Sequence, residues 1–407
     1  MKNYLSTLTS KEIIGYDKKQ VLEIYDYFCS LKYKAMNNLT LIPIDRWFSN
    51  LTSRQLIISG PCAAESHKQI ITTAKALSKI SMVKVFRTGL WKPRTRPGSF
   101  EGVGIEGLRW LNEVKQKTGL HIAVEIATAE HVDLALKHNI DMIWLGARTT
   151  SNPFAVQAIA DSLKGFDIPV LVKNPVNPDL ELWIGAIERI YNAGIRKLAA
   201  VHRGFYPFEK TKLRNIPQWE VPIELKTRFN ELPIINDPSH IAGNINYIQD
   251  ISQKALDLNM DGLMIESHIN PDKALSDSQQ QLHPDELNKL VKKLIFRSIQ
   301  SQNDKFQSTI DSLREKIDSI DKKIIDLLAN RMELAEKIGN HKHKNKVTIF
   351  QLRRWEEIIA SRLAQATEKG LSEKFVKSLL QLVHEESIRK QTEIMGNRDD
   401  SSNDEPN

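Results

Sequence analysis

The 407-residue sequence is poor in the features that mark several large protein classes. It has two cysteines, Cys29 and Cys62, too few for a disulfide framework. Its longest apolar runs, such as Leu56-Ile57-Ile58, fall far short of a membrane span. No unbroken apolar stretch opens the chain, because Ser6, Thr7, Thr9 and Ser10 interrupt it, so a cytoplasmic location is expected. The formal charge is +7, yet Lys and Arg are scattered, with no long basic run and no nucleic-acid motif. Nucleic acid and membrane are therefore not expected partners. Some of the excess cations suit small anionic substrates instead.

Hydrophobic residues at 41% and charged residues at 26% are ordinary for a globular chain, and this length favours two domains. Residues 1–38 carry no motif and are set aside as an N-terminal extension of unassigned role. Residues 39–297 hold eight short strand-like runs: 56–59, 83–86, 122–126, 142–145, 170–172, 197–201, 234–236 and 262–265. Amphipathic stretches such as 70–79, 105–118 and 180–193 separate them. Eight alternations over about 250 residues predict an α/β fold of the (β/α)₈ TIM-barrel kind, with an open doubly wound sheet as the competing arrangement. Residues 298–308 read as a polar linker. Beyond them Ile310, Leu313, Ile317, Ile320, Ile324 and Leu327 recur three and four apart, which predicts a long helix. The basic segment 341–346 is expected to end it. Two more helices over 353–367 and 372–393 complete an all-α three-helix unit at 309–395. So thin a core favours a homodimer or higher homo-oligomer. The tail 396–407 is polar and expected to be disordered.

A group able to do chemistry follows each of the eight runs. In a barrel these positions share the C-terminal face, where such folds build their sites. Cys62, His240, Glu266 and the nearby Asp277 offer a thiolate, an imidazole and two carboxylates, a set suited to a divalent transition metal. Singly, each is more often a buried hydrophobe or a solvated acid. Arg87, Lys92, Arg148, Lys173 and Arg203 supply cations, bland as surface charges but apt together for phosphate and carboxylate.

The segments GPCAAES (60–66), FRTGLWKPRT (86–95), LGAR (145–148), LVKN (171–174), HRG (202–204), NDPSH (236–240) and IESHINPDKALSD (265–277) occur in that order. Together they resemble the 3-deoxy-D-arabino-heptulosonate 7-phosphate (DAHP) synthases, in the branch related to 3-deoxy-octulosonate 8-phosphate synthase. The resemblance implies a barrel that condenses phosphoenolpyruvate with erythrose 4-phosphate. It also implies one divalent metal, Mn2+ foremost with Fe2+, Co2+ or Zn2+ as alternatives, held by Cys62, His240, Glu266 and Asp277. Arg87, Lys92, Arg148, Lys173 and Arg203 would bind phosphoenolpyruvate, with Lys92 also catalytic. Arg94, Thr95, Asp237 and His268 would meet the aldose phosphate. KPRT favours the four-carbon aldose over arabinose 5-phosphate, although RPG (96–98) departs from the usual SPY. Glu125 and Lys92 both qualify to activate the attacking water.

LREKIDSIDKKIIDLLANRMELAEKIGNHK (313–342) and SLLQLVHEESIRKQ (378–391) resemble the first and last helices of the all-helical chorismate mutases. The resemblance implies that Arg314, Arg331, Lys342, Gln351, Arg354, Ser387 and Gln391 bind chorismate, with Lys342 and Gln391 at the ether oxygen as catalytic groups. Gln351 stands where an acid is common, and Trp355 stands where a glutamate meets the substrate hydroxyl. Two readings follow: a bifunctional shikimate-pathway enzyme, or a synthase whose helical domain senses chorismate or prephenate. Either arrangement predicts that an end product damps the synthase. A third reading, a basic scaffold for polyanions, predicts no loss of phosphoenolpyruvate.

Overall fold

The computed structural model describes residues 39–51, 55–92, 100–298 and 303–399. The expectations for 1–38, for Arg94 and Thr95, and for the end of the tail lie outside them. The chain divides into two compact units between residues 299 and 300.

Every strand of the first unit is rich in Val, Ile, Leu or Ala, as buried parallel strands require. They are β1 (Leu56–Gly60), β2 (Val83–Thr88), β3 (His121–Ile126), β4 (Met142–Leu145), β5 (Val170–Lys173), β6 (Leu198–His202), β7 (Ile234–Asn236) and β8 (Gly262–Glu266). Each pairs in parallel with its neighbour in sequence. β8 returns to β1 in continuous register from Leu56–Gly262 to Gly60–Glu266, so the sheet closes and the open-sheet arrangement is ruled out. Around it lie α1 (His67–Leu77), α2 (Ile105–Thr118), α3 (Ala129–Lys137), α4 (Ala147–Thr150), α5 (Pro153–Ser162), α6 (Leu180–Asn192), α7 (Glu220–Arg228), α8 (Pro238–Ala242), α9 (Ile248–Asp257) and α10 (Pro284–Lys293). Ser66, Thr128, Asn152 and Asp179 each accept a backbone N–H and start a helix where the chain leaves a loop.

Side chains alternate across each strand. Leu56, Ile58, Val85, Trp144, Leu171, Val201, Ile235 and Met264 fill the barrel interior, while Ile57, Phe86 and Ile143 pack against the helices. Ile44, Trp47 and Leu51 join the interior cluster, so the segment before β1 seals the N-terminal mouth. That leaves the C-terminal mouth for chemistry. Several strands run one or two residues beyond the expected runs, because the ladder continues through Lys173–Val201, His202–Asn236 and Gly60–Glu266. Arg87, Lys173, His202 and Glu266 are thus strand residues with fixed directions.

The second unit consists of α11 (Asp304–Lys344), α12 (Leu352–Glu368) and α13 (Glu373–Asp399). Two boundaries differ from expectation. Asn303 accepts from Phe306 N and starts α11 at Asp304, so residues 304–308 are helix rather than linker. The basic segment 341–346 does end α11: His341, Lys342, His343 and Lys344 form its last turn, at the negative end of the helix dipole. At its other end, α13 carries on through Asp399, past the start of the expected tail.

Candidate active sites

Strand geometry places the first donors. β1 ends just before Cys62, which is fully buried, and β8 ends on Glu266, also fully buried. Asp277 arrives from the loop after β8 in a left-handed conformation (φ 51°), which turns its carboxylate inward. One donor atom from each of Cys62, Glu266 and Asp277 lies within 4.8 Å of the others. Cys62 Sγ is 3.3 Å from Asp277 Oδ2. His240 completes the quartet on α8, its Nε2 3.8 Å from Glu266 Oε1. The other ring nitrogen, Nδ1, bonds Asp237 at 3.0 Å, which fixes the ring and leaves Nε2 for an ion. Three of the four expected ligands therefore meet, and His240 stands beside one of them, Glu266.

The chemistry of the cluster fits a cation. Burial pushes the Cys62 thiol up to about 12, with Glu266 and Asp277 adding to it and Lys92 and Arg87 opposing. Burial also opposes the charge on Glu266, yet His240 and Arg87 outweigh it and keep its pKa below the ordinary value. Asp277 is likewise lowered: Arg214 overcomes its desolvation. Burial keeps the His240 imidazole below its ordinary range, so the ring is neutral. A neutral imidazole, two carboxylates and a sulfur that gives up its proton only to a strong partner make a metal-ligand set.

The expected cations surround this cluster. Arg87 Nη1 donates to Glu266 Oε1 at 2.6 Å and its guanidinium lies 4.7 Å from the Trp144 ring centre. Lys173 Nζ pairs with Asp237 at 2.6 Å and sits 5.8 Å from the same ring. Lys92 Nζ donates to Cys62 O at 2.9 Å and Sγ at 3.2 Å, and lies 3.9 Å from Glu125. Glu125 passes so close to Gly146 that a Cβ there would stand 2.1 Å from its Oε1. Arg203 is held by Asn174 through its backbone and by Asn215 through its side chain. Burial brings the pKa of Arg203 down to about 10, with the nearby Arg214 and Arg148 adding to the fall. Arg148 stands exposed on α4.

Two expected aldose contacts are buried. Asp237 is fully buried and pairs with both Lys173 and His240. His268 is buried 3.5 Å from Glu65. Other participants lie outside any motif used above. Arg214 pairs with Asp277 at 2.9 Å and donates to Gln280 Oε1 at 2.6 Å, while Gln280 Nε2 donates to Glu266 Oε2 at 2.8 Å. Arg214 thereby braces two ligands from behind. The Arg214→Met variant is expected to weaken Mn2+ binding about 10- to 100-fold, measured by calorimetry on the metal-free chain. An unchanged Kd would deny it that role.

The helical unit gathers a second cluster. Arg331 Nη1 donates to Ser387 Oγ at 2.5 Å and to Val383 O at 3.4 Å. Lys342 Nζ donates to Ile349 O at 2.5 Å. Gln391 is buried, gives its amide hydrogen to Ser387 O, and leaves Oε1 without a partner. Gly339 leaves room for it, since a Cβ there would meet Gln391 Cγ at 3.0 Å. Gln351 caps α12 by position, without a side-chain bond. Arg314 and Arg354 stand apart, exposed and paired with Asp311 and Glu357 one turn away. Trp355 stacks on His384, ring centres 4.1 Å apart.

Known families match both parts of the chain. A family model described as the DAHP synthetase I family matches residues 50–300, and one described as chorismate mutase type II matches residues 313–392. The phospho-2-dehydro-3-deoxyheptonate aldolase of Thermotoga maritima is 34% identical over 238 residues, covering 58% of this chain and 68% of that protein. The 2-dehydro-3-deoxyphosphooctonate aldolase of Desulfotalea psychrophila is 28% identical over 263 residues, covering 59% and 88%. The crystal structure of the Thermotoga DAHP synthase superposes with a TM-score of 0.53 at 30% identity, over 64% of this chain and 70% of that one.

Proposed function

Because the chain belongs to the DAHP synthetase I family, with a chorismate mutase type II domain following in the sequence, we propose that Cys62, His240, Glu266 and Asp277 hold one divalent cation in the condensation of phosphoenolpyruvate with erythrose 4-phosphate. The chain is an enzyme with two catalytic domains of the shikimate pathway. The observation that carries the site is the meeting of Cys62, Glu266 and Asp277, with His240 beside them, at the end of the barrel where the strands finish. Held by these residues, such an ion would supply Lewis-acid polarisation of the aldehyde.

Everything else falls to side chains. Arg87, Lys92, Lys173 and Arg203 offset the charge of two phosphorylated substrates and hold the methylene carbon of phosphoenolpyruvate against the aldehyde. Carbon–carbon bond formation leaves positive character at the second carbon of phosphoenolpyruvate. Water adds there, and phosphate departs with cleavage of its carbon–oxygen bond. Lys92 and Glu125 are 3.9 Å apart, a distance that lets them share the proton released by that water. Asp237 orients His240 and Lys173 and leaves the aldose to other groups.

Mn2+ is our choice of ion, and a reducing cytoplasm suits a ligand that must stay a free thiol. Two copies of the chain complete the helical unit, since Leu313, Ile317, Ile320, Ile324 and Leu327 remain about half exposed or more along α11. Mixing phosphoenolpyruvate with erythrose 4-phosphate or with arabinose 5-phosphate, with and without chelator, tests metal need and aldose choice together. We expect phosphate release with the four-carbon sugar alone, lost on chelation and restored best by Mn2+. Preference for arabinose 5-phosphate would transfer the chain to the octulosonate branch.

A further inference from the structure

We infer that His384 is a substrate-positioning residue of the mutase site, its Nε2 hydrogen-bonding the ring hydroxyl of chorismate. This rests on the mutase reading of the helical unit given above. Helix α13 presents His384, Ser387 and Gln391 at spacings of three and four, which lines them along one face. From α11, Arg331 reaches Ser387 on that face, so the imidazole shares its surroundings with the substrate cations.

The ring itself is fixed. The Trp355 indole stacks on it with planes 16° apart, and Phe350 flanks it with ring centres 5.8 Å apart. Its Nε2 is buried and has no hydrogen-bond partner, although a buried polar nitrogen ordinarily finds one. Gln391 Oε1, two turns along the same face, is the second buried polar atom of the cluster without a partner. Two such atoms on one face describe a place that a polar ligand fills.

Chemistry then sorts the ligand's groups. Chorismate carries two carboxylates, an ether oxygen and one neutral hydroxyl. Cations serve the first three; a hydroxyl needs a neutral group that can donate or accept. Burial, reinforced by Arg331 and Lys342, keeps His384 below its ordinary pKa and so uncharged at neutral pH. An uncharged imidazole takes either side of that hydrogen bond. Trp355 holds it there by stacking, in the place where the family pattern has a glutamate.

The test compares chorismate with an analogue lacking the ring hydroxyl, using the full chain. His384→Leu is expected to lower kcat/KM for chorismate about tenfold and to leave the analogue within about threefold of wild type. His384→Gln, which keeps a neutral polar group at similar reach, is expected to recover most of the chorismate rate. Equal losses on both substrates would reveal a packing role and overturn the assignment, as would no loss at all. Should the leucine variant not fold, His384→Phe, which keeps an aromatic ring for the stack but has no polar atom, decides through the same pair: a loss on chorismate with the analogue within about threefold of wild type supports the assignment, and equal losses on both, or none, overturn it. Absence of chorismate turnover in the wild-type chain is a separate result, and it removes the mutase reading itself.

Discussion

The Cys62→Ala variant is expected to lose DAHP synthesis by about 10³-fold and to bind Mn2+ far more weakly than the wild-type chain. The sulfur is fully buried and 3.3 Å from a second ligand, so nothing else can take its place without moving the backbone. Its protonation also sets a pH signature. With a thiol pKa near 12, the metal-free site carries S–H at neutral pH. Binding an ion through the thiolate must release that proton, so raising the pH favours binding. Between pH 6.5 and 8.5 the Kd for Mn2+ should fall about tenfold per unit in the wild type. His240 adds no proton of its own, being neutral already. The alanine variant should show a nearly flat profile. Calorimetry in buffers of different ionisation enthalpy counts the released proton directly, and a flat wild-type profile would mean that sulfur does not coordinate.

Removing one cation from the helical unit should be almost as severe. Lys342→Ala is expected to lower kcat for chorismate disappearance about 10²- to 10³-fold, because a pericyclic rearrangement draws its acceleration from charge placed where the carbon–oxygen bond breaks. In the free chain the ammonium donates to Ile349 O at 2.5 Å, a bond it can exchange for the ether oxygen without leaving its position. Burial lowers its pKa, but it starts from a lysine value and stays a cation in the assay. The observation favouring a sensor domain instead is the departure at Trp355. That reading predicts no turnover to lose, together with prephenate slowing the synthase. Following both reactions on one preparation separates the two.

The barrel was legible because each strand is a short apolar run with a polar residue near its C-terminal end, and eight such positions share one rim. The candidate ligands could be picked out for a related reason: Cys62, His240 and Glu266 lie at or within a few residues of strand ends. Loop residues were harder. Arg214 and Gln280 brace the ligands from segments without periodic pattern, and only the left-handed turn at Asp277 brings that loop inward. Asp237, placed with the aldose by resemblance, follows β7 and caps the short helix after it, a local role that its spacing did not announce. In the helical unit, helix positions were plain from spacing, but the start of α11 depended on one capping side chain, Asn303. The Trp355–His384 stack joins residues from two helices, a pairing that no spacing within either helix encodes.

The apolar stripe along α11 also governs how firmly the mutase fold holds together. A three-helix unit that leaves Ile325 and Leu327 about two-thirds exposed has too little core of its own to withstand heating alone. If two copies complete it, as proposed above, its melting obeys mass action, and each tenfold dilution should lower the temperature at which the helices come apart. The barrel sheet closes within one chain, so on that reading thinning a solution should silence the helical chemistry first.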